Sequence, residues 1–322
     1  MYKTLASPLK PKSLSTFTIG ENSYYTFYAW NIFAALLHGV NAFVMLYFYY
    51  DDGERDQLYD LTTSYGSWKQ TNLVSTYNNV TNTTTNATVA GEDPKFQILT
   101  NTKTVWSSYS LNWTIFCFHL LSFVFQLGAV IPAYGYVERI VSTGRHPLRF
   151  IEYSLSASLM LLCIALLTGI RDILVLGGIV VLTMACQILG LVAEYQFPGF
   201  NRNVVHGVAW ACILVAYSPI IISYTVAVEM NDVSPPDFVI VIVLVQALLF
   251  LSFGFVQLIQ FYYSNATIIG FIGRQAEISY IFLSIVAKSL LGWLIYVNLI
   301  MNADQIVSVV VDAAANATNT TV

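Results

Sequence analysis

Apolar residues fall in seven long runs, at 26–50, 109–134, 149–170, 173–195, 204–228, 237–263 and 277–302, with polar segments between them. A helix needs roughly 20 mostly apolar residues to cross the hydrocarbon layer of a bilayer, and every run meets that length. The predicted fold is an all-α bundle of seven transmembrane helices in a single domain over residues 1–322. Runs three and four are parted only by Ile170, Arg171 and Asp172, which predicts a tight helical hairpin. Pro235-Pro236 marks a turn before run six, and Gly270 with Gly273 a turn before run seven. The long connection 51–108 carries alternating β-formers such as Thr71, Leu73, Val74 and Tyr77 and is predicted to hold a hairpin. No repeat of solenoid length is present.

Composition strengthens the membrane reading. The chain is 56% hydrophobic and 10% charged, whereas soluble domains carry roughly 25% charged residues. Too few ions remain to coat a water-facing surface. Residues 1–20 are polar, with Lys3, Lys10 and Lys12, and lack the apolar core of a cleaved leader, so run one is expected to persist as a span. Cys117, Cys163, Cys186 and Cys212 all lie inside apolar runs and read as small buried hydrophobes. No phosphate loop, metal-ligand cluster or nucleophile elbow points to an enzyme. The lack of a basic domain argues against nucleic acid as a partner.

Charge gives the bundle a direction. With the N-terminus cytoplasmic, the inner segments hold eight basic residues against five in the outer ones, and the outer segments hold thirteen acids. This is the bias of the positive-inside rule. The sequons at Asn79, Asn82 and Asn86 fall in the first connection, and those at Asn316 and Asn319 at the C-terminus. Seven spans put both segments on one face, the outer one, where glycosylation takes place. Asn265 falls on the inner side and is expected to stay unmodified.

Lys288 lies near mid-bilayer in run seven, where a lysine costs on the order of 3 kcal/mol. One reading is a lysine paired with a carboxylate to pin two helices. The functional reading is an amine kept from water so that it condenses with an aldehyde to a Schiff base. A protonated Schiff base in lipid requires an anion. Apart from Asp237 and Glu277 at the very starts of runs six and seven, two acids lie in the helices proper, Glu152 near the inner start of run three and Glu194 near the inner end of run four. Helical side chains lean toward their own N-terminus, so the Lys288 amine is expected to point inward, toward Glu152. Arg149, three residues before Glu152, is expected to keep that carboxylate ionised. Ser284 and Ser156 lie one turn from Lys288 and Glu152 respectively. His38 in run one and Gln126 in run two are further candidates for the cavity. His119 is read as lying on a different face from Gln126.

The stretch RFIEYSLSASLM at 149–160 resembles the third helix of heliorhodopsins, ACQILGLVAE at 185–194 the fourth, and LSIVAKSLLGW at 283–293 the seventh. Trp30, Asn31 and His38 match the first helix more loosely. The resemblance implies a rhodopsin-like bundle with all-trans retinal on Lys288, Glu152 as sole counterion and Ser284 hydrogen-bonding near the Schiff base; Trp293, at the end of the third matching stretch, is counted with the cofactor-binding residues. It also implies the inverted topology already read from charge, a homodimer, and strands in the first loop. Gln126 stands where the family has a second cavity histidine, and a glutamine takes up no proton, which leaves His38. The expected function is light sensing through a slow photocycle and an unknown signalling partner. The rivals are light-driven or light-gated proton transport with Glu194 as a relay, and a seven-helix receptor or scaffold without pigment.

Overall fold

A computed structural model describes residues 21–51, 58–70, 73–78, 83–88, 96–131, 145–195, 201–230, 235–263 and 269–300. Seven helices are long and apolar enough to cross a membrane. They are α1 (Glu21–Asp51), α2 (Leu111–Val130), α3 (Pro147–Leu167), α4 (Ile173–Tyr195), α5 (Arg202–Met230), α6 (Asp237–Tyr263) and α7 (Ile269–Ile295). A single π-helical turn, Tyr296–Ile300, continues α7. Pro235-Pro236 does precede a helix, at Asp237. Gly270 and Gly273 do not mark a turn, because α7 already begins at Ile269. Glycine lowers helix propensity by only about 1 kcal/mol, which hydrogen-bonded backbone in an apolar medium outweighs.

The helices are not equivalent. Fourteen of the 21 residues of α3 are buried, against six of the 23 in α4. An apolar side chain on α4 can face lipid at no cost, whereas α3 is enclosed by its neighbours. A polar side chain on α3 is therefore placed in the bundle interior. Around α3 the main core gathers Met160, Leu161, Ile164, Leu111, Ile115, Phe118, Ile213, Ile220 and Leu291.

The first connection forms two antiparallel ribbons. Strand β1 (Leu58–Gln70) pairs with β4 (Phe96–Ser110), and β2 (Leu73–Asn78) with β3 (Thr83–Thr88). Leu73, Val74 and Tyr77 thus lie in a strand as expected, while Thr71 lies outside the described residues. The β1–β4 register shifts around Leu61. Opposite, Ser108 takes a left-handed φ of 58°, held by its N–H donating to Asp60 Oδ1 at 3.1 Å. The bulge turns Leu61 into the core, where it is 4% exposed.

The ribbon is fastened to the α3–α4 turn. The Thr62 N–H donates to the Arg171 carbonyl at 2.9 Å, and the Ser64 N–H to Asp172 Oδ2 at 2.9 Å. The Arg171 guanidinium lies 4.0 Å from the Tyr59 ring centre. Asp172 Oδ1 also accepts the Leu174 N–H at 2.8 Å, capping α4. These backbone N–H groups, the Ser64 bond first, hold the Asp172 carboxyl below the usual carboxylate range. Its folded-state pKa is depressed, so the stabilisation is present above the unfolded value and disappears as pH falls through the folded one. Hydrogen-exchange protection at the Ser64 amide, corrected for the intrinsic rate, should accordingly drop under acid conditions. Asp172→Asn should show reduced protection already at neutral pH. Equal protection in both proteins at pH 7 would remove Asp172 as the fastener.

Of the sequons, Asn86 falls in β3. Asn79, Asn82, Asn265, Asn316 and Asn319 lie outside the described residues.

Candidate functional site

Lys288 is buried on α7 at 2% exposure. Its Nζ donates to Glu152 Oε1 at 2.5 Å and to Ser284 Oγ at 2.9 Å. The same carboxylate oxygen accepts Ser156 Oγ at 2.8 Å and Ser122 Oγ at 2.7 Å. Ser284 precedes Lys288 by one turn of α7, and Ser156 follows Glu152 by one turn of α3, so helical spacing alone puts each hydroxyl beside its charged partner. Ser122 arrives from α2 and closes the ring. The Tyr153 ring centre lies 5.0 Å from Nζ. A desolvated ion pair survives when its remaining lone pairs and protons are satisfied, and three hydroxyls do this here.

Arg149 does not join that group. The resting direction of its side chain is toward the N-terminus of α3, away from Glu152 despite the three-residue spacing. There Nη2 bonds Glu194 of α4 and Nη1 bonds Glu277 of α7. His146 completes the cluster: Nδ1 sits 2.9 Å from Glu277 Oε2, and its backbone N–H donates to Glu194 Oε1 at 2.7 Å. The Tyr280 ring stacks on the guanidinium at 3.9 Å. The expectation that Arg149 supports Glu152 is thus corrected. Two separate charge clusters exist, and Tyr153, whose hydroxyl donates to the Tyr280 carbonyl at 3.1 Å, stands between them. A cavity of about 320 Å³ on the α1–α2 side touches both, with Gln126, Glu152 and Glu277 in its wall.

A larger cavity of about 830 Å³, measured out to its open side, runs from Lys288 across the bundle. Its walls include Tyr153, Met160, Trp210, Phe250 and Phe253. Its lining is of the kind found in small-molecule sites, apolar and aromatic with a few placed polar groups. A buried amine at one end of an aromatic slot suits a long apolar aldehyde.

A sequence profile of the family described as Heliorhodopsin matches residues 27–300. The chain belongs to the heliorhodopsin family. It is accordingly a retinal-binding light receptor of the rhodopsin type and an integral, multi-pass membrane protein. No curated protein matches it. The residues present fit retinal: Lys288 would offer the amine and Glu152 the anion, beside a cavity with aromatic walls.

Three expectations about this heliorhodopsin change. First, His38 has a buried histidine partner, His119. Seven residues are two helical turns, so His119 and Gln126 share a face of α2 rather than lying on different ones. His38 Nδ1 meets His119 Nδ1 at 3.2 Å, and Gln126 lines the smaller cavity two turns away. Gly292 makes room for the pair, since a Cβ there would stand 3.0 Å from His119 Nε2. At an Nδ1–Nδ1 contact one ring donates and the other accepts, so the pair holds a proton between two otherwise equivalent sites. Second, Trp293 is not among the residues that line the large cavity. Five residues turn it about 140° from Lys288, toward α1, where its indole N–H donates to Asn41 Oδ1 at 3.3 Å. Asn41 in turn donates to Ser289 Oγ at 2.9 Å. Third, Glu277, the first residue of run seven, is a buried acid within α7. It precedes Lys288 by eleven residues, three turns on the same face, and that spacing was the available signal. Ser122, His119 and His146 were also missed, since short polar residues and histidines carry no periodic mark of their partners.

Proposed function

We propose that the protein is a light sensor in which all-trans retinal joins Lys288 as a protonated Schiff base with Glu152 as its counterion. The observation that carries this reading is the Lys288–Glu152 contact of 2.5 Å at the end of the aromatic cavity. The lysine amine and the aldehyde lose one water to form the C=N bond, and a further proton on nitrogen gives the cation that Glu152 balances. Retinal supplies light absorption and isomerisation. The protein supplies the rest. Glu152, with Ser122, Ser156 and Ser284, keeps the proton on the nitrogen in the dark. Displacement of that nitrogen weakens the Glu152 contact, and the His38–His119 pair is a nearby acceptor for the proton. A signal then passes to a partner through the slow return of these bonds. The charge bias and the sequons support a cytoplasmic N-terminus and an extracellular C-terminus, and the family resemblance supports a homodimer.

Proton transport is the second reading. Its support is the Arg149, Glu194, Glu277 and His146 cluster, which shares a cavity wall with Glu152. Against it, α3 carries no ladder of acids. One experiment separates the readings. Spectra of the retinal-loaded wild type and Glu152→Gln should differ, by a red shift or by loss of the Schiff-base proton and a blue-shifted band. An unchanged spectrum removes Glu152 as counterion. Under voltage clamp the wild type should give no sustained photocurrent. A current that Glu194→Gln abolishes would establish transport.

A further inference from the structure

Lys288 is gripped through both of its chain neighbours. Before it, the Ala287 carbonyl accepts the side-chain amide of Gln246 on α6, Nε2 to O at 2.9 Å. After it, Ser289 Oγ accepts the side-chain amide of Asn41 on α1, also at 2.9 Å. The Trp293 indole holds the other end of the Asn41 amide. Positions 287 and 289 stand about 200° apart round a helix, so α6 and α1 hold α7 from nearly opposite flanks, with Lys288 between the two grips.

The Gln246 contact is not accounted for by stability. The side chain is 0% exposed, in a helix otherwise rich in apolar residues. A helix carbonyl already accepts the N–H four residues on, so Gln246 supplies Ala287 with a second bond on its spare lone pair. The amide must turn its N–H to that carbonyl, and its Oε1 is then buried with no hydrogen-bond partner among the described residues. An unpaired buried acceptor costs about as much as the one bond contributes, and a leucine would fill the space without that cost. What Gln246 adds is a fixed backbone beside Lys288.

We propose that Gln246 and Asn41 are positioning residues that clamp the α7 backbone on either side of Lys288, so that isomerisation strains the Schiff base instead of moving the helix. The inference rests on the reading of Lys288 as the retinal attachment site and adds the parts that hold it. Displacement of the nitrogen is shared between the Glu152 contact and the backbone that carries the side chain. A clamped backbone yields little, the strain stays at the nitrogen, and it drives the return to the dark state. A freed backbone relaxes, the light-made state lies lower, and its return is slower.

The test follows the recovery of the dark absorption band after a flash, in protein loaded with all-trans retinal. Gln246→Leu removes the α6 grip. Ser289→Ala removes the α1 grip and spares the Asn41–Trp293 bond. Each should slow recovery roughly fivefold, the factor to which one hydrogen bond corresponds. The dark absorption maximum should stay in place, because neither Gln246 nor Ser289 lines the large cavity. Ser223→Ala is the control. It deletes a bond of the same kind, from a hydroxyl to the Thr168 carbonyl on α3, and should recover like wild type. Gln246→Met serves if Gln246→Leu does not fold. Wild-type recovery in either grip variant overturns the two-sided clamp, as does equal slowing in Ser223→Ala, which would mean a general loosening. A shifted dark maximum in Gln246→Leu also overturns it, since the residue would then act on the resting chromophore. A wild-type band that light does not alter overturns the clamp and leaves the attachment at Lys288 standing. A wild type without a visible band removes the attachment, and the clamp with it.

Discussion

Lys288→Ala, supplied with all-trans retinal, should give no visible band. No other lysine or α-amine lies among the described cavity residues, so the aldehyde loses its attachment point. The change has a second effect. Glu152 loses its cation but keeps the Ser122 and Ser156 hydroxyls, so the variant should still fold. Helical circular dichroism close to wild type together with a flat visible spectrum is the expected pair of results. A band unchanged in position and strength would move the chromophore away from Lys288. A wild type with no band at all would favour a receptor or scaffold without pigment.

Arg149→Leu should be the most destabilising single change. It removes the cation that Glu194 and Glu277 both bond, leaving two buried acids beside His146. Breaking a buried ion pair from one side costs about 3–5 kcal/mol, and the loss of the guanidinium stacked on Tyr280 adds to it. Thermal denaturation followed by helical circular dichroism should show a clearly lower midpoint. Converting both acids to glutamine in the Arg149→Leu background should recover part of the loss, because the partners form one unit. The absorption maximum of Arg149→Leu should shift less than that of Glu152→Gln, since Arg149 contacts the other cluster. A variant as stable as wild type would mean that water or lipid headgroups reach these acids.

Much of the bundle was legible in the run lengths. Membrane helices bury their backbone hydrogen bonds locally and leave long uninterrupted apolar segments, so the seven spans and the α3–α4 hairpin could be read directly. Lys288 and Glu152 were legible because a charge at that depth is rare and needs a partner. The second cluster was read poorly. Glu277 lies at the end of an apolar run, where an acid is inexpensive if exposed, and only its phase with Lys288 distinguished a buried one. Arg149 was assigned the wrong partner because sequence spacing counts residues along one helix, whereas its carboxylates come from two others. The His38–His119 contact joins residues on different helices and leaves no local pattern. Ribbon register was equally invisible, since it is set by the docking of β1 on Arg171 and Asp172.

Glu277, Ser284 and Lys288 form one stripe along α7, at intervals of seven and four residues. A helix advances 100° per residue. Deleting or inserting one residue between positions 277 and 288 would swing the amine from the cavity to the flank of α7 while the Glu277 contact stayed in place. No rotamer restores a displacement of that kind. The segment thus behaves as a ruler with no slack, intolerant of length change though open to many substitutions. The β2–β3 ribbon is the opposite: its strands pair with each other, and residues gained or lost there leave the α7 stripe and the β1 fastening in place. Grafting loops or tags into this protein should begin there.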